Sequence, residues 1–264
     1  MKQTVLWTVT VLLIPIIMLI GSGCSDGGSV NPVNTDPAFE ANQVEALSRP
    51  EEPTTFVETF DSRRNVGGWS FFTTHRPTIE SAGGNPGGYL HDDHVVTFAP
   101  KPGTALGEES IFTGDYRARK ITSVGIDLRC IDYEWDITTR YLTLMLMNDN
   151  GTPFETEDDW GAYVFSDVHL PSKYVAWLTS TSETDNEPGW VSYDFEIASQ
   201  GSELPEGWSF IRLFQVGAEM PSGSWTRLMQ NVSYVEFLFG DPLLYYILQS
   251  FDLGLDNPRI SWEE

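Results

Sequence analysis

Residues Gly83-Gly84-Asn85-Pro86-Gly87-Gly88-Tyr89-Leu90 are the most informative stretch of this chain for its fold. Glycine reaches positive φ without strain, and proline holds φ at about −65°, so four glycines around Asn-Pro predict a tight, structured turn. The turn runs into Val95-Val96-Thr97-Phe98, a run of residues typical of a strand. The stretch therefore predicts a turn that leads into a strand, and not a flexible linker.

Further short segments with strand character follow at regular intervals, separated by clusters of Pro and Gly such as Pro188-Gly189 and Pro221-Ser222-Gly223. Several of them alternate apolar and polar residues, and no long segment has a convincing helical period with caps. The segments are 121–128, 141–147, 163–165, 175–178, 190–197, 210–216, 232–239 and 244–248. This pattern predicts an all-β fold, an antiparallel β-sandwich that is most simply a jelly roll.

The N-terminus predicts export. Met1-Lys2 precedes an apolar run from Val5 to Ile20, and small residues lead to Cys24, so residues 1–23 are interpreted as a signal peptide. An uncleaved N-terminal anchor is the alternative. Cys24 after small residues resembles the bacterial lipoprotein box, which implies lipidation and an outer-membrane or cell-surface location. Without lipidation the protein would be periplasmic or secreted.

Two regions follow the predicted signal peptide. Residues 24–53 are rich in Gly, Ser, Asn, Pro and acids, and we interpret them as a disordered tether. Residues 54–264 fit a single β domain. On this interpretation the protein contacts the membrane through its lipid anchor only.

Charge and cysteine content narrow the partners. The chain has 15 basic and 38 acidic residues, a net charge of −23, which disfavours nucleic acid as a partner. Such a surface is compatible with cation binding or with surroundings of high salt concentration. The alternative is an acidic surface that is simply solvated. If Cys24 is lipidated, Cys130 has no intramolecular partner, and its apolar neighbours predict a buried, inert thiol.

A set of ordered motifs resembles the laminin B (domain IV)-like and carbohydrate-binding-module-like jelly rolls. The motifs are Phe60-Asp61, Gly68-Trp69, Gly84 to Tyr89, Phe98-Ala99-Pro100 and Gly254-Leu255-Asp256-Asn257. The resemblance spans roughly residues 55–262, and Pro258 stands where the family often has Val. It implies a non-catalytic module for saccharide recognition, adhesion or matrix structure. Fold alone does not settle which of these applies.

The resemblance also implies a structural Ca²⁺ where the first and last strands meet. Ca²⁺ is held by six to eight oxygen ligands, so carboxylates distant in sequence can join the two ends of the chain. Carried over to this sequence, the candidate ligands are Glu58 and Asp256, with Asp61 and Asn257 behind them. The alternative is that these residues are edge-strand acids and turn formers.

Aromatic residues beside acids predict the ligand site. A sugar ring offers an apolar face and a hydroxyl rim, and both Asp158 and Asp159 directly precede Trp160. We therefore expect Trp160, Asp158 and Asp159 to bind carbohydrate or a matrix polymer. The alternative is a core tryptophan, the role expected for Trp69 and Trp177.

Other chemistries carry less weight. The sequence His91-Asp92-Asp93-His94 invites a transition-metal interpretation, but residues three apart in a strand point to opposite faces, which favours a polar loop. No nucleophile elbow, metalloprotease helix or phosphate loop is found, so the protein is expected not to be an enzyme. A glycoside hydrolase or polysaccharide lyase on the sandwich, or a purely structural adhesion protein, remain the alternatives.

Overall fold

The computed structural model describes residues 53–61, 66–73, 75–104, 110–135, 140–152, 158–170, 189–212 and 220–264. The predicted signal peptide, Cys24, nearly all of the predicted tether and the predicted strand at 175–178, which contains Trp177, lie outside these residues. Within the described part, no helix is long and apolar enough to cross a membrane.

Two antiparallel sheets make up the described part of the chain. In the first sheet the strand order is β3-β4-β12-β6-β9, and β1 pairs with the last residues of β12. Its strands are β1 Thr54–Val57, β3 Thr78–Gly84, β4 Gly87–Thr97, β6 Ile121–Tyr133, β9 Val191–Glu196 and β12 Gln249–Trp262.

The second sheet has the order β10-β8-β7-β11-β5-β2. Its strands are β2 Trp69–Ser70, β5 Gly103–Thr104, β7 Tyr141–Asn148, β8 Trp160–His169, β10 Ser209–Arg212 and β11 Tyr234–Phe239. One short helix, α1 Ser224–Gln230, precedes β11. The chain passes repeatedly between the two sheets, and the predicted all-β jelly-roll sandwich is confirmed.

Alternation along the strands builds the core between the sheets. On β7, Leu142, Leu144 and Leu146 are buried in the main cluster, while Met145 and Met147 belong to a separate cluster on the opposite face. Trp69 and Cys130 lie in the main core, and the Cys130 thiol is buried as predicted. The second sheet is therefore apolar on both faces, which is unusual for a sheet that needs only one face for the core.

The predicted turn at residues 83–88 connects β3 to β4, and the Asn85–Pro86 peptide is cis. Gly84 has no room for a side chain, because a Cβ there would lie 2.7 Å from the Asp256 carboxylate and 2.5 Å from the Gly88 carbonyl oxygen. Gly87 has φ of 94° and lies against the Asp61 carboxylate. The turn is thus held by residues from both ends of the domain.

The predicted strand at 244–248 is wrong. Residues 240–248 form an irregular connection between β11 and β12, the 240–248 segment. Its apolar side chains are exposed and make no ladder: Leu244 is 60% and Ile247 69% exposed. An apolar run predicts a strand only where a sheet covers it, and here the sheet begins at Gln249.

Candidate functional site

The structure brings three of the four predicted calcium ligands to the turn at residues 83–88. The backbone N–H of Asn85 donates to Asp256 Oδ2 at 2.5 Å, and that of Gly88 donates to Asp61 Oδ1 at 3.2 Å. The side-chain amide of Asn257 donates to the Asn85 carbonyl oxygen. Both carboxylates therefore accept backbone hydrogen bonds from the turn.

Glu58 is placed differently. Its backbone N–H donates to the Pro258 carbonyl oxygen at 2.8 Å, while its carboxylate oxygen Oε2 lies 3.0 Å from the position that a Cβ on Gly67 would take. Burial raises the pKa of Glu58. Among the described residues, no three His, Cys, Asp or Glu side chains are grouped to hold a metal. A calcium ion at this turn would therefore need backbone carbonyl oxygens to complete its shell.

Two buried acids at the turn, Asp256 and Asp127, have pKa values that are shifted in opposite directions. Burial raises the pKa of Asp256, which is fully buried, and the charges of Asp127 and Asp61 raise it further against two backbone hydrogen bonds. Burial also acts to raise the pKa of Asp127, but hydrogen bonds from Asn257, Ser192 and Arg259 outweigh it and the net pKa is lowered. Asp127 is thus held as a carboxylate, with Arg259 Nη1 2.8 Å from its Oδ1.

The expected platform at Trp160 is not exposed, and this expectation is wrong. Trp160 is 4% exposed in the main core, and its indole N–H donates to Asn150 Oδ1 at 3.1 Å. A buried ring leaves no face for a sugar. The Asp-Asp-Trp pattern misled because Trp160 begins β8 with its side chain directed inward.

The two acids before Trp160 point to different surroundings. Asp158 accepts hydrogen bonds from the side chains of Thr152 and Asn150. Asp159 is buried, and its Oδ2 accepts the Tyr234 hydroxyl at 2.6 Å. Burial raises the pKa of Asp159. The structure therefore does not join these three residues into one open site.

The two histidines of residues 91–94 have separate neighbours. His91 Nε2 lies 2.8 Å from Asp252 Oδ1, whereas His94 contacts Asp93 and stacks on His75 with ring centroids 4.8 Å apart. The motif lies within β4, so the predicted polar loop is wrong, and the two side chains are separated because residues three apart on a strand point to opposite faces. No shared metal site forms from the described residues of this motif.

A site that the sequence did not predict lies on the outer face of the second sheet, away from the main core. Met145 on β7, Tyr163 on β8, Ile211 on β10 and Leu238 on β11 are buried together there. Glu236 lies on the same face by strand alternation, and burial raises its pKa. This face is covered in part by the 240–248 segment.

The 240–248 segment is held in place by specific contacts. Thr143 Oγ1 donates to the Gly240 carbonyl oxygen at 2.6 Å, and the Asp241 N–H donates to the Tyr246 hydroxyl at 2.6 Å. Tyr246 packs directly on Gly240, whose φ is 128°. The Arg140 guanidinium carbon lies 4.0 Å from the Tyr246 ring centroid. These contacts hold the 240–248 segment in place as a wall over the outer face of the second sheet.

Two adjoining cavities separate this wall from the sheet. The aromatic cavity has a volume of about 330 Å³ and is lined by Arg140, Tyr141, Phe165, Ser166, Asp241, Leu244 and Tyr246. The apolar cavity has a volume of about 430 Å³ and is lined by Thr97, Phe98, Ala99, Lys101, Met145, Ile211, Leu238, Asp241, Pro242, Leu244, Tyr245 and Tyr246. Asp241, Leu244 and Tyr246 line both, so the two cavities adjoin each other.

The aromatic cavity offers ring faces beside polar groups. Tyr141 and Phe165 are each 38% exposed, with ring centroids 6.4 Å apart. Arg140 and Asp241 supply opposite charges, and Ser166 supplies a hydroxyl. Exposed aromatic surface with a few fixed polar groups is the composition of a small-molecule site.

Comparisons with known proteins assign no family. No protein-family model and no curated protein matches this chain. Solved structures with a similar arrangement include a family 11 carbohydrate-binding module of a Clostridium thermocellum cellulosomal cellulase, at 11% identity and a TM-score of 0.39, covering 80% of this chain and 96% of that one. A xylan-binding domain from family 22 shows 10% identity and a TM-score of 0.35, covering 81% and 97%.

An exo-β-agarase structure is similar at 12% identity and a TM-score of 0.40, and the match covers 80% of this chain but 25% of the agarase. These identities and TM-scores are too low to assign the chain to any of these groups. The laminin B-like resemblance stays a prediction.

One signal in the sequence could have indicated the outer-face site. Residues 242–248 read Pro-Leu-Leu-Tyr-Tyr-Ile-Leu, an apolar run next to Gly240-Asp241, and a glycine-aspartate pair is typical of a turn. Assigned to a loop, the same run predicts an exposed apolar surface, which in soluble proteins marks an interaction site.

Proposed function

We propose that this protein is a non-catalytic carbohydrate-binding module that holds a saccharide in the aromatic cavity. The exposed rings of Tyr141 and Phe165, beside Arg140, Asp241 and Ser166, carry this proposal. The C–H face of a pyranose stacks on an aromatic ring, while its hydroxyl groups need hydrogen-bond donors and acceptors at the edge. The cavity supplies both.

The contacts that hold the 240–248 segment in place support binding by a preformed site. The contacts of Tyr246 with Gly240, Asp241 and Arg140 fix the 240–248 segment without a ligand. Binding then orders few side chains, which reduces its entropic cost.

Phe165→Ala tests the proposal. Oligosaccharides that bind in a glycan array are measured by titration calorimetry with the wild type and with this variant. We expect a loss of about tenfold or more, equal to roughly 1.4 kcal/mol, which is the size of a lost aromatic contact. Trp135→Ala is the control, since Trp135 is 57% exposed and lines neither cavity.

Three results would count against this function. Absence of binding to every glycan, or equal affinities of wild type and Phe165→Ala, would remove the aromatic cavity as a saccharide site. Release of reducing sugar or unsaturated product from a bound polymer would show a hydrolase or lyase instead. Calcium-dependent self-association without glycan binding would indicate an adhesion protein.

A structural Ca²⁺ at the turn is a second part of the proposal. The support is the burial of Asp256, with a raised pKa, beside Asp61 and Asn257, and the raised pKa of Glu58 on the adjoining segment. A bound cation would neutralise this charge, so calcium should raise the melting temperature and excess chelator should lower it. An unchanged melting temperature at low ionic strength would remove the ion from the proposal.

Export with lipidation at Cys24 is the third part, supported by the apolar N-terminal run and the small residues before the cysteine. Wild-type protein expressed in a bacterial host with labelled palmitate should incorporate label, and Cys24→Ser should not. Label in the Cys24→Ser variant would refute lipidation at this residue.

A further inference from the structure

The floor of the apolar cavity is poorly suited to a saccharide. It is formed by Met145, Ile211 and Leu238, which offer no hydrogen-bonding side chain, while the polar side chains that line the cavity include those of Lys101 and Asp241. A sugar hydroxyl placed against this floor would lose water without gaining a partner, which costs free energy. The cavity nevertheless adjoins the aromatic cavity, because Asp241, Leu244 and Tyr246 line both.

The mouth of the apolar cavity is also apolar. Tyr245 is fully exposed and Phe98 is 58% exposed, and both line the cavity. Ile247 and Leu248 in the same segment are 69% and 52% exposed. Phe98 and Tyr245 thus place exposed apolar surface at one cavity, and large exposed apolar patches mark interaction sites. A sugar in the aromatic cavity alone would leave this surface in water.

We propose that the ligand is a glycolipid, with its saccharide in the aromatic cavity and its aliphatic chain in the apolar cavity. An aliphatic chain has no polar group to desolvate, and it fills a Met-, Ile- and Leu-lined space by the hydrophobic effect. Because the two cavities share Asp241, Leu244 and Tyr246, one molecule with a sugar and a chain can occupy both. This inference depends on the proposed saccharide function and extends it to the class of ligand.

Alkyl glycosides of increasing chain length test the inference. Binding of methyl, butyl, hexyl and octyl β-glucosides and β-galactosides is measured by calorimetry below their critical micelle concentrations. The affinity should rise about fourfold per added methylene until the cavity is filled, the fold-change that corresponds to about 0.8 kcal/mol per buried CH₂.

Two neighbouring residues provide the variant and its control. Phe98→Ser removes a side chain that lines the apolar cavity but not the aromatic one, so the chain-length dependence should weaken while methyl glycoside binding stays unchanged. Val96→Ser is the matched control, because Val96 is 56% exposed and lines neither cavity. Both side chains are largely exposed, so neither variant is expected to unfold.

The outcomes separate this inference from the proposed function. Saccharide binding with no gain from the alkyl chain would overturn the glycolipid and leave the saccharide function standing. Octyl tetraethylene glycol binding as tightly as octyl glycosides would overturn both, since the sugar would then contribute nothing. Self-association in sedimentation, abolished by Phe98→Ser, would show that a second copy covers the patch and would also overturn the glycolipid.

Discussion

Replacement of Arg259 by methionine tests how the turn at residues 83–88 is tied to the two central strands of the first sheet. Arg259 on β12 contacts Asp127 on β6 through Nη1 at 2.8 Å, and it contacts Asp194 on β9 through Nε and Nη2 at 2.6 and 2.7 Å. Methionine keeps most of the aliphatic stem and removes only the guanidinium group. The variant therefore isolates the loss of charge and hydrogen bonds.

The largest cost falls on Asp127, and the carbonyl oxygens of Tyr193 and Asn257 also lose a hydrogen bond from Arg259. The Asp127 side chain is 4% exposed, whereas that of Asp194 is 60% exposed and can return to water. Removing one partner of a buried ion pair costs about 3–5 kcal/mol, because the other charge is left uncompensated. Asn85 and Asn257 still donate to Asp127 Oδ2 at 3.0 and 2.9 Å. Because these two hydrogen bonds remain, we expect a loss at or just below the lower end of that range, about 2–3 kcal/mol.

Thermal and urea unfolding of the purified protein measure this loss. For a domain of this size 1 kcal/mol corresponds to about 2–4 °C, so the melting temperature of Arg259→Met should fall by roughly 4–12 °C. The control is Asp194→Asn, which breaks only the exposed pair and should cost about 1 kcal/mol or less. Equal losses in the two variants would refute the assignment of the energy to buried Asp127.

The pH dependence gives an independent check. The folded pKa of Asp127 lies below its ordinary value of 3.8, so its contribution to stability is present above that pH and is lost as the pH falls through the folded pKa. In Arg259→Met the loss of stability comes from the uncompensated charge of Asp127, and protonation of Asp127 removes that charge. The difference in stability between wild type and variant should therefore narrow below about pH 4. A difference that stays constant into acid would contradict this explanation.

Three further changes test other parts of the structure. Burial raises the folded pKa of Glu236 above 4.5, so ionisation of this carboxyl group destabilises the fold at high pH. Glu236→Gln should therefore raise the melting temperature at pH 8 but not at pH 4. The same shift in melting temperature at both pH values would refute the buried charge. Trp160→Ala should lose about 3–5 kcal/mol in urea unfolding, and near-wild-type stability would show that the indole is not a core residue. Gly84→Ala should lower the melting temperature, because the added Cβ would lie 2.7 Å from Asp256 Oδ2. Gly189→Ala is the control and should not, because no atom lies within 4 Å of its added Cβ. Equal effects of the two variants would argue against the close approach at Gly84.

The sequence by itself was sufficient for the fold class and for the turn between β3 and β4. Alternation and turn residues are local properties, and they predict strands such as Ile121–Tyr133 wherever a sheet covers the alternating face. The buried state of Cys130 followed from its apolar neighbours in the same strand. The prediction of a strand at 244–248 was wrong because an apolar run does not by itself determine whether another strand lies beside it.

Only the tertiary structure decided where the candidate site lies. Trp160 and its preceding acids are adjacent in sequence, yet the direction of β8 buries the indole and leaves no open site there. Tyr141, Phe165 and Tyr246 come from three separate segments and meet because β7 pairs with β8 and because Thr143 anchors the 240–248 segment over them. Contacts between residues far apart in the chain depend on strand pairing and on loop placement, and neither leaves a local pattern in a single sequence.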